Sequence, residues 1–175
     1  MNSVLLDDAS SKTSETVKYN RFYIPCIIFN STRVLIEHRR AIDIAYTLKG
    51  AGRDVLMLKF DSNATYSLGK DEGTYAWRIQ IDGAPHPFGY MIVPGLVCNE
   101  PLSAEDAITV YRNIVLLFQT AHAKGYDTIV LETLGASEQV AELFRREIRR
   151  MNGLFHTIVF ATPHNDVYST VFHKN

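Results

Sequence analysis

Apolar and polar positions along this chain follow two periods, and the places where one gives way to the other mark the predicted elements. The runs YIPCIIF (residues 23–29) and RVLIEH (33–38) read as strands. Ala41, Ile44, Ala45 and Leu48 then recur at helical spacing from about Arg39, and Gly50 or Gly52 closes that helix. DVLMLKF (54–60) is a continuous apolar run, the pattern of a strand covered on both faces. Tyr75, Trp77, Ile79 and Ile81 alternate with polar or small residues and lead to Asp82-Gly83, a favoured two-residue hairpin turn, with a return strand through Phe88 to Val93.

The second half alternates strands with helices. Ser103 followed by Asp106 three residues on is a capping-box-like start for a long helix. Ala107, Tyr111, Ile114, Phe118 and Ala121 form its inner stripe, and it stops at Gly125. Ile129, Val130 and Leu131 form a short buried strand, a turn follows over Thr133-Leu134-Gly135-Ala136-Ser137, and Val140, Phe144, Ile148 and Met151 carry a last long helix to about Asn152, with Gly153 as its cap. HTIVFATP (156–163) is one more strand, and residues 167–172 are a closing turn of helix or strand. Such alternation implies parallel pairing with crossover helices, hence an α/β layered domain.

Composition narrows this picture. With 175 residues, 46% of them hydrophobic, the chain has the material for one core and one domain. Residues 1–20 are rich in Ser, Thr, Asp and Lys and are expected to form a flexible tail ahead of a single domain over 21–175. A net charge of −1 supplies no global attraction to nucleic acid. Cys26 and Cys98 lie in or beside apolar runs and read as small buried thiols of a reducing compartment. No run of eighteen apolar residues and no signal-peptide pattern appears, so a soluble cytoplasmic protein without membrane partners is expected.

Candidate chemistry gathers after the strand ends, where ligands bind in α/β sheets. The turn at Gly135-Ala136-Ser137 delivers free backbone amides at a helix N-terminus, an arrangement that receives an anion. Ser137 is equally an ordinary N-cap, and Glu132 and Glu138 flank the turn, so a purely structural cap is the competing reading. YSLGKDEG (66–73) lacks the spacing of a nucleoside-triphosphate loop. The six histidines form no metal-ligand pair, and no nucleophile elbow surrounds a serine, so neither metal nor nucleophilic catalysis is expected. FRREIRR (144–150) sets Arg145, Arg146, Arg149 and Arg150 on the polar face of the last helix, a solvated face or a modest patch for an acidic partner.

The stretch YDTIVLETLGASEQVAELFRREIRRMNGLFHTIVFATPHND (126–166) resembles the end of macrodomain proteins of the microbial poly(ADP-ribose) glycohydrolase type. HRRAIDIAYTLKGAGRDVLMLKFDSNA (38–64) is similar to that family's helix and following strand, and GYMIVPGLVCNE (89–100) to its middle strand, so the resemblance covers residues 30–172. It implies a three-layer macrodomain-like fold and ADP-ribose or a related nucleotide as ligand, with the diphosphate at Gly69 and Gly135, Ala136 and Ser137, and the adenine near Phe160 and Asn165. Glu37 or Asp43 is the weaker candidate for the exocyclic amine. The family's PGGG loop is replaced by Tyr66-Ser67-Leu68-Gly69, and its catalytic Gln-Glu-Glu has no counterpart. Glycosidic cleavage needs a positioned carboxyl group, so the expectation is a binding or interaction module with no catalytic residues and no cofactor. Two alternatives stand beside it. One is a glycohydrolase or deacylase with a rearranged site using Asp71, Glu72 or His164; the other is an assembly protein, pairing with a protein partner or with itself through an edge hairpin over 74–93 that exposes Tyr75 and Trp77.

Overall fold

A computed structural model describes residues 12–18, 23, 25–61, 66–68, 75–82, 87–94, 101–132, 138–162 and 167–173. These form eight strands and four helices: β1 (Lys12–Lys18), β2 (Arg33–Glu37), α1 (Ala41–Gly50), β3 (Val55–Asp61), β4 (Tyr66–Leu68), β5 (Tyr75–Asp82), β6 (Gly89–Pro94), α2 (Ala104–Ala123), β7 (Thr128–Glu132), α3 (Glu138–Arg150), β8 (Thr157–Ala161) and α4 (Val167–Phe172). One sheet runs in the order β1-β5-β6-β3-β7-β8-β2, with β4 paired to β5. The five strands from β6 to β2 are mutually parallel, and β5 joins β6 antiparallel.

Strand alternation sends side chains to two separate cores. Leu56, Leu58, Ile129, Leu131, Ile158 and Phe160 join the core built with α2, α3 and α4. Val55, Met57, Val130, Val159 and Ala161 join the smaller core under α1. The three-layer architecture implied by the sequence is therefore present: continuous apolar runs such as Val55–Leu58 are buried because helices cover both faces. The second long helix begins as its capping pattern predicts, with the Asp106 N–H donating to Ser103 Oγ at 3.0 Å. Gly52, Gly125 and Gly153 each take a left-handed φ after a helix end.

Four expectations are corrected. Residues 12–18, read as part of a tail, form β1 and pair with β5 over their whole length, Lys12 opposite Asp82 and Lys18 opposite Ala76. Composition hid a short alternating pattern: Thr13, Glu15 and Val17 fall opposite Ile81, Ile79 and Trp77. That pairing removes the edge hairpin as well, because from Ala76 onward β5 has β1 on one side and β4 and β6 on the other. The hairpin does not reverse in a two-residue turn at Asp82-Gly83, because the register sets Gln80 opposite Ile92 and Ile81 opposite Met91. Finally, residues 25–30 form no strand, and Cys26, Ile27 and Ile28 are exposed. Pro25 has no N–H for a ladder, and the segment is instead tied by a Phe29 N–H bond to the Gly153 carbonyl at 3.0 Å.

Candidate functional site

Parallel pairing fixes which ends of the strands meet. Glu37 is level with Ala161, Ala161 with Glu132, and Leu131 with Leu58, so β2, β8, β7 and β3 end side by side on one rim. At ordinary strand spacing the ends of β3 and β8 lie roughly 10 Å apart. The segments that carry the predicted ligand residues depart from or border this rim. β4, which precedes Gly69 in the chain, lies beyond the end of β6, since its Tyr66 pairs with Trp77 while Gln80 is already level with Ile92. Gly135, Ala136 and Ser137 lie between Glu132 and Glu138, the end of β7 and the start of α3, and Asn165 lies between the end of β8 and the start of α4. Gly69, Gly135, Ala136, Ser137 and Asn165 themselves lie outside the described residues, as do Asp71, Glu72 and His164.

Phe160 is described. Its side chain is 1% exposed, with ring centroids 4.8 Å from Tyr168, 5.1 Å from Phe172 and 5.4 Å from Phe144. The ring is spoken for by this aromatic cluster, so its bearing on a ligand runs through the rigidity of the β8 end and not through an open stacking face. The cluster joins β8 to α3 and α4, the two helices that border the rim after residues 137 and 166.

The remaining described part of the rim is polar. The Thr162 N–H donates to the Glu37 carbonyl at 2.9 Å, extending the β2 to β8 ladder by one step. His38 Nδ1 lies 2.8 Å from the Thr162 carbonyl, which accepts only, so Nδ1 carries the proton. Arg39 Nε and Nη2 donate to one oxygen of Glu37 at 2.9 and 2.7 Å, and Arg40 donates to Asp43 at 3.0 and 3.3 Å. Both carboxylates considered for the adenine amine thus already face an arginine, in exposed pairs of small net strength. A hollow of about 510 Å³ beside the start of α3 is lined by Pro101, Glu138, Gln139 and Glu142. Its two carboxylates disfavour an anion within the hollow itself. Sequence reasoning missed the Leu102 N–H bond to Gln139 Oε1 at 2.6 Å, which ties the start of α2 to the start of α3; no local signal announces a contact between residues so far apart.

Among the described residues no group of His, Cys, Asp and Glu is placed to hold a metal ion, and no helix is long and apolar enough to cross a membrane. No protein-family model and no curated protein matches the chain. Solved structures do. The fold is that of poly(ADP-ribose) glycohydrolase from Thermomonospora curvata, with a TM-score of 0.67 at 13% identity over 98% of this chain and 89% of that one. A glutamate-to-alanine mutant of that enzyme gives 0.63 at 15% identity over 81% and 79% of the two chains. The same enzyme bound to the inhibitor ADP-HPD gives 0.58 at 15% identity over 75% and 73%.

Proposed function

We propose that this macrodomain-like protein binds ADP-ribose or a related nucleotide on the rim formed by the ends of β3, β7 and β8, and does not hydrolyse it. The alignment of the ends of β7 and β8 supports the reading, because the chain leaves these neighbouring strands toward Gly135, Ala136 and Ser137 and toward Asn165 respectively. Glycine amides at 69 and 135 with the amides of Ala136 and Ser137 are the donors for the diphosphate, and Asn165 beside the end of β8 serves the adenine. A solved structure of the same fold holds the inhibitor ADP-HPD. The sequence has no counterpart of the Gln-Glu-Glu that its resemblance calls for, the carboxylates that would protonate a leaving group or support an oxocarbenium-like state.

Calorimetry with ADP-ribose tests it. Saturable heat with micromolar to millimolar affinity is expected, weakened by Gly135→Asp, which adds a Cβ and a negative charge where a phosphate is received. No heat at millimolar ligand, or equal heat from the variant, removes the proposal. Incubation with ADP-ribosylated protein is expected to release no ADP-ribose. Turnover lost in an Asp71→Ala/Glu72→Ala variant would put a rearranged glycohydrolase in place of the binding module.

A further inference from the structure

The free edge of the sheet opposite β1 is β2, and its backbone polarity follows from two bonds. The Arg33 N–H donates to the His156 carbonyl, and the Glu37 carbonyl accepts from the Thr162 N–H, so Arg33, Leu35 and Glu37 turn their backbone groups toward β8. Val34 and Ile36 therefore aim their N–H and C=O groups outward, and among the described residues no strand pairs with them. Beside this edge runs a hollow of about 630 Å³ between β2 and the ends of α3 and α4. Val34, Ile36, Ile148 and Phe172 make an apolar floor, and Arg145 and Arg149 stand on the α3 wall.

Charge decides what fits there. Among the described residues no carboxylate lines the hollow. Arg145 reaches Glu142 at 3.7 Å, Arg146 lies over the Tyr111 ring and Arg150 is paired with Glu147, whereas exposed Arg149 has no ion pair among the described residues. The basic run in the last helix thus divides into structural arginines and a cationic wall along an open strand. We infer that β2 accepts an extended acidic peptide as an added strand, its backbone bonding to the Val34 and Ile36 N–H and C=O groups, apolar side chains on the floor and a carboxylate on Arg149. A second copy is the poorer occupant. Antiparallel β2 to β2 pairing about a two-fold axis keeps both α3 walls on the same face of the joined sheet and brings like charges together.

The test is fluorescence anisotropy with a short labelled peptide that alternates glutamate and valine, against one that alternates lysine and valine. The glutamate peptide is expected to bind and the lysine peptide to bind at least roughly tenfold more weakly, as expected for one charge-assisted hydrogen bond. Arg149→Glu, at an exposed position, is expected to weaken the glutamate peptide by a similar factor. Val34→Pro removes one outward N–H without touching the ladder to β8 and is expected to do the same. Should Val34→Pro not fold, amide exchange in the wild-type chain substitutes, with slowed exchange at Val34 and Ile36 on adding peptide as the expected result. Absence of saturable binding, equal binding of the two peptides, indifference to Arg149→Glu, or unprotected Val34 and Ile36 amides would each overturn the inference. So would a concentration-dependent dimer that Val34→Pro dissolves, which gives the edge to a second copy.

Discussion

Replacing Arg150 by methionine isolates one charge in the interface between α2 and α3. Glu147 is 1% exposed, and its carboxylate accepts from Tyr111 Oη at 2.7 Å, Arg150 Nε at 2.9 Å and Arg150 Nη2 at 2.8 Å. That hydrogen bonding raises the Arg150 guanidinium above its already high ordinary range, so the arginine keeps its charge throughout the working pH range. Arg150→Met leaves the buried carboxylate with the tyrosine hydroxyl alone. Breaking a buried pair costs roughly 3–5 kcal/mol. The Arg150 side chain is 53% exposed, so water fills part of the vacated place and the low end, about 3 kcal/mol, is expected. For a chain of this length that is a fall of roughly 6–12 °C in Tm. Urea denaturation followed by circular dichroism measures it. The double variant Glu147→Leu/Arg150→Met, which removes both charges, should recover most of the loss, because the cost lies in stranding a charge and not in losing the pair. A single-variant loss under about 1 kcal/mol, or a double variant no more stable than the single, would refute this accounting.

Three further outcomes follow from the structure. Gly153→Ala forces a side chain onto φ 90°, with its Cβ driven against the Phe29 carbonyl oxygen, and should cost about 2–3 kcal/mol in the same denaturation assay. Ser103→Ala removes the acceptor of the Asp106 N–H and should cost about 1 kcal/mol, a fall of roughly 2–4 °C in Tm. Tyr111 and Tyr23 titrate above the ordinary tyrosine value, both chiefly through burial and Tyr111 also through its bond to Glu147. Since the folded-state pKa is the higher one, their contribution is complete below about pH 10 and is lost as the pH rises through the folded value. Denaturation midpoints between pH 8 and 11 should be level and then fall; Tyr111→Phe should shrink the fall, and an unchanged slope would count against the assignment.

The elements with strong periods were legible in the residues alone. Val55–Leu58, Ile129–Leu131 and Ile158–Phe160 are buried strands because nothing polar interrupts them, and Ser103 with Asp106 caps α2 as local chemistry requires. Helical order along the second half is enough to imply parallel strands and a rim on which their ends gather. What lies far apart in sequence was settled by tertiary pairing. Lys12–Lys18 is a strand only because β5 offers seven partners, and Pro25 with exposed Ile27 and Ile28 shows that an apolar run without a ladder stays irregular. The division of the four arginines into Arg145 beside Glu142, Arg146 over Tyr111, Arg150 on buried Glu147 and Arg149 on an open strand edge depends on which element each meets. Periodicity reports the covering of a face. It carries no information about the partner that does the covering, and that partner decides which residues hold the fold and which remain available to a ligand.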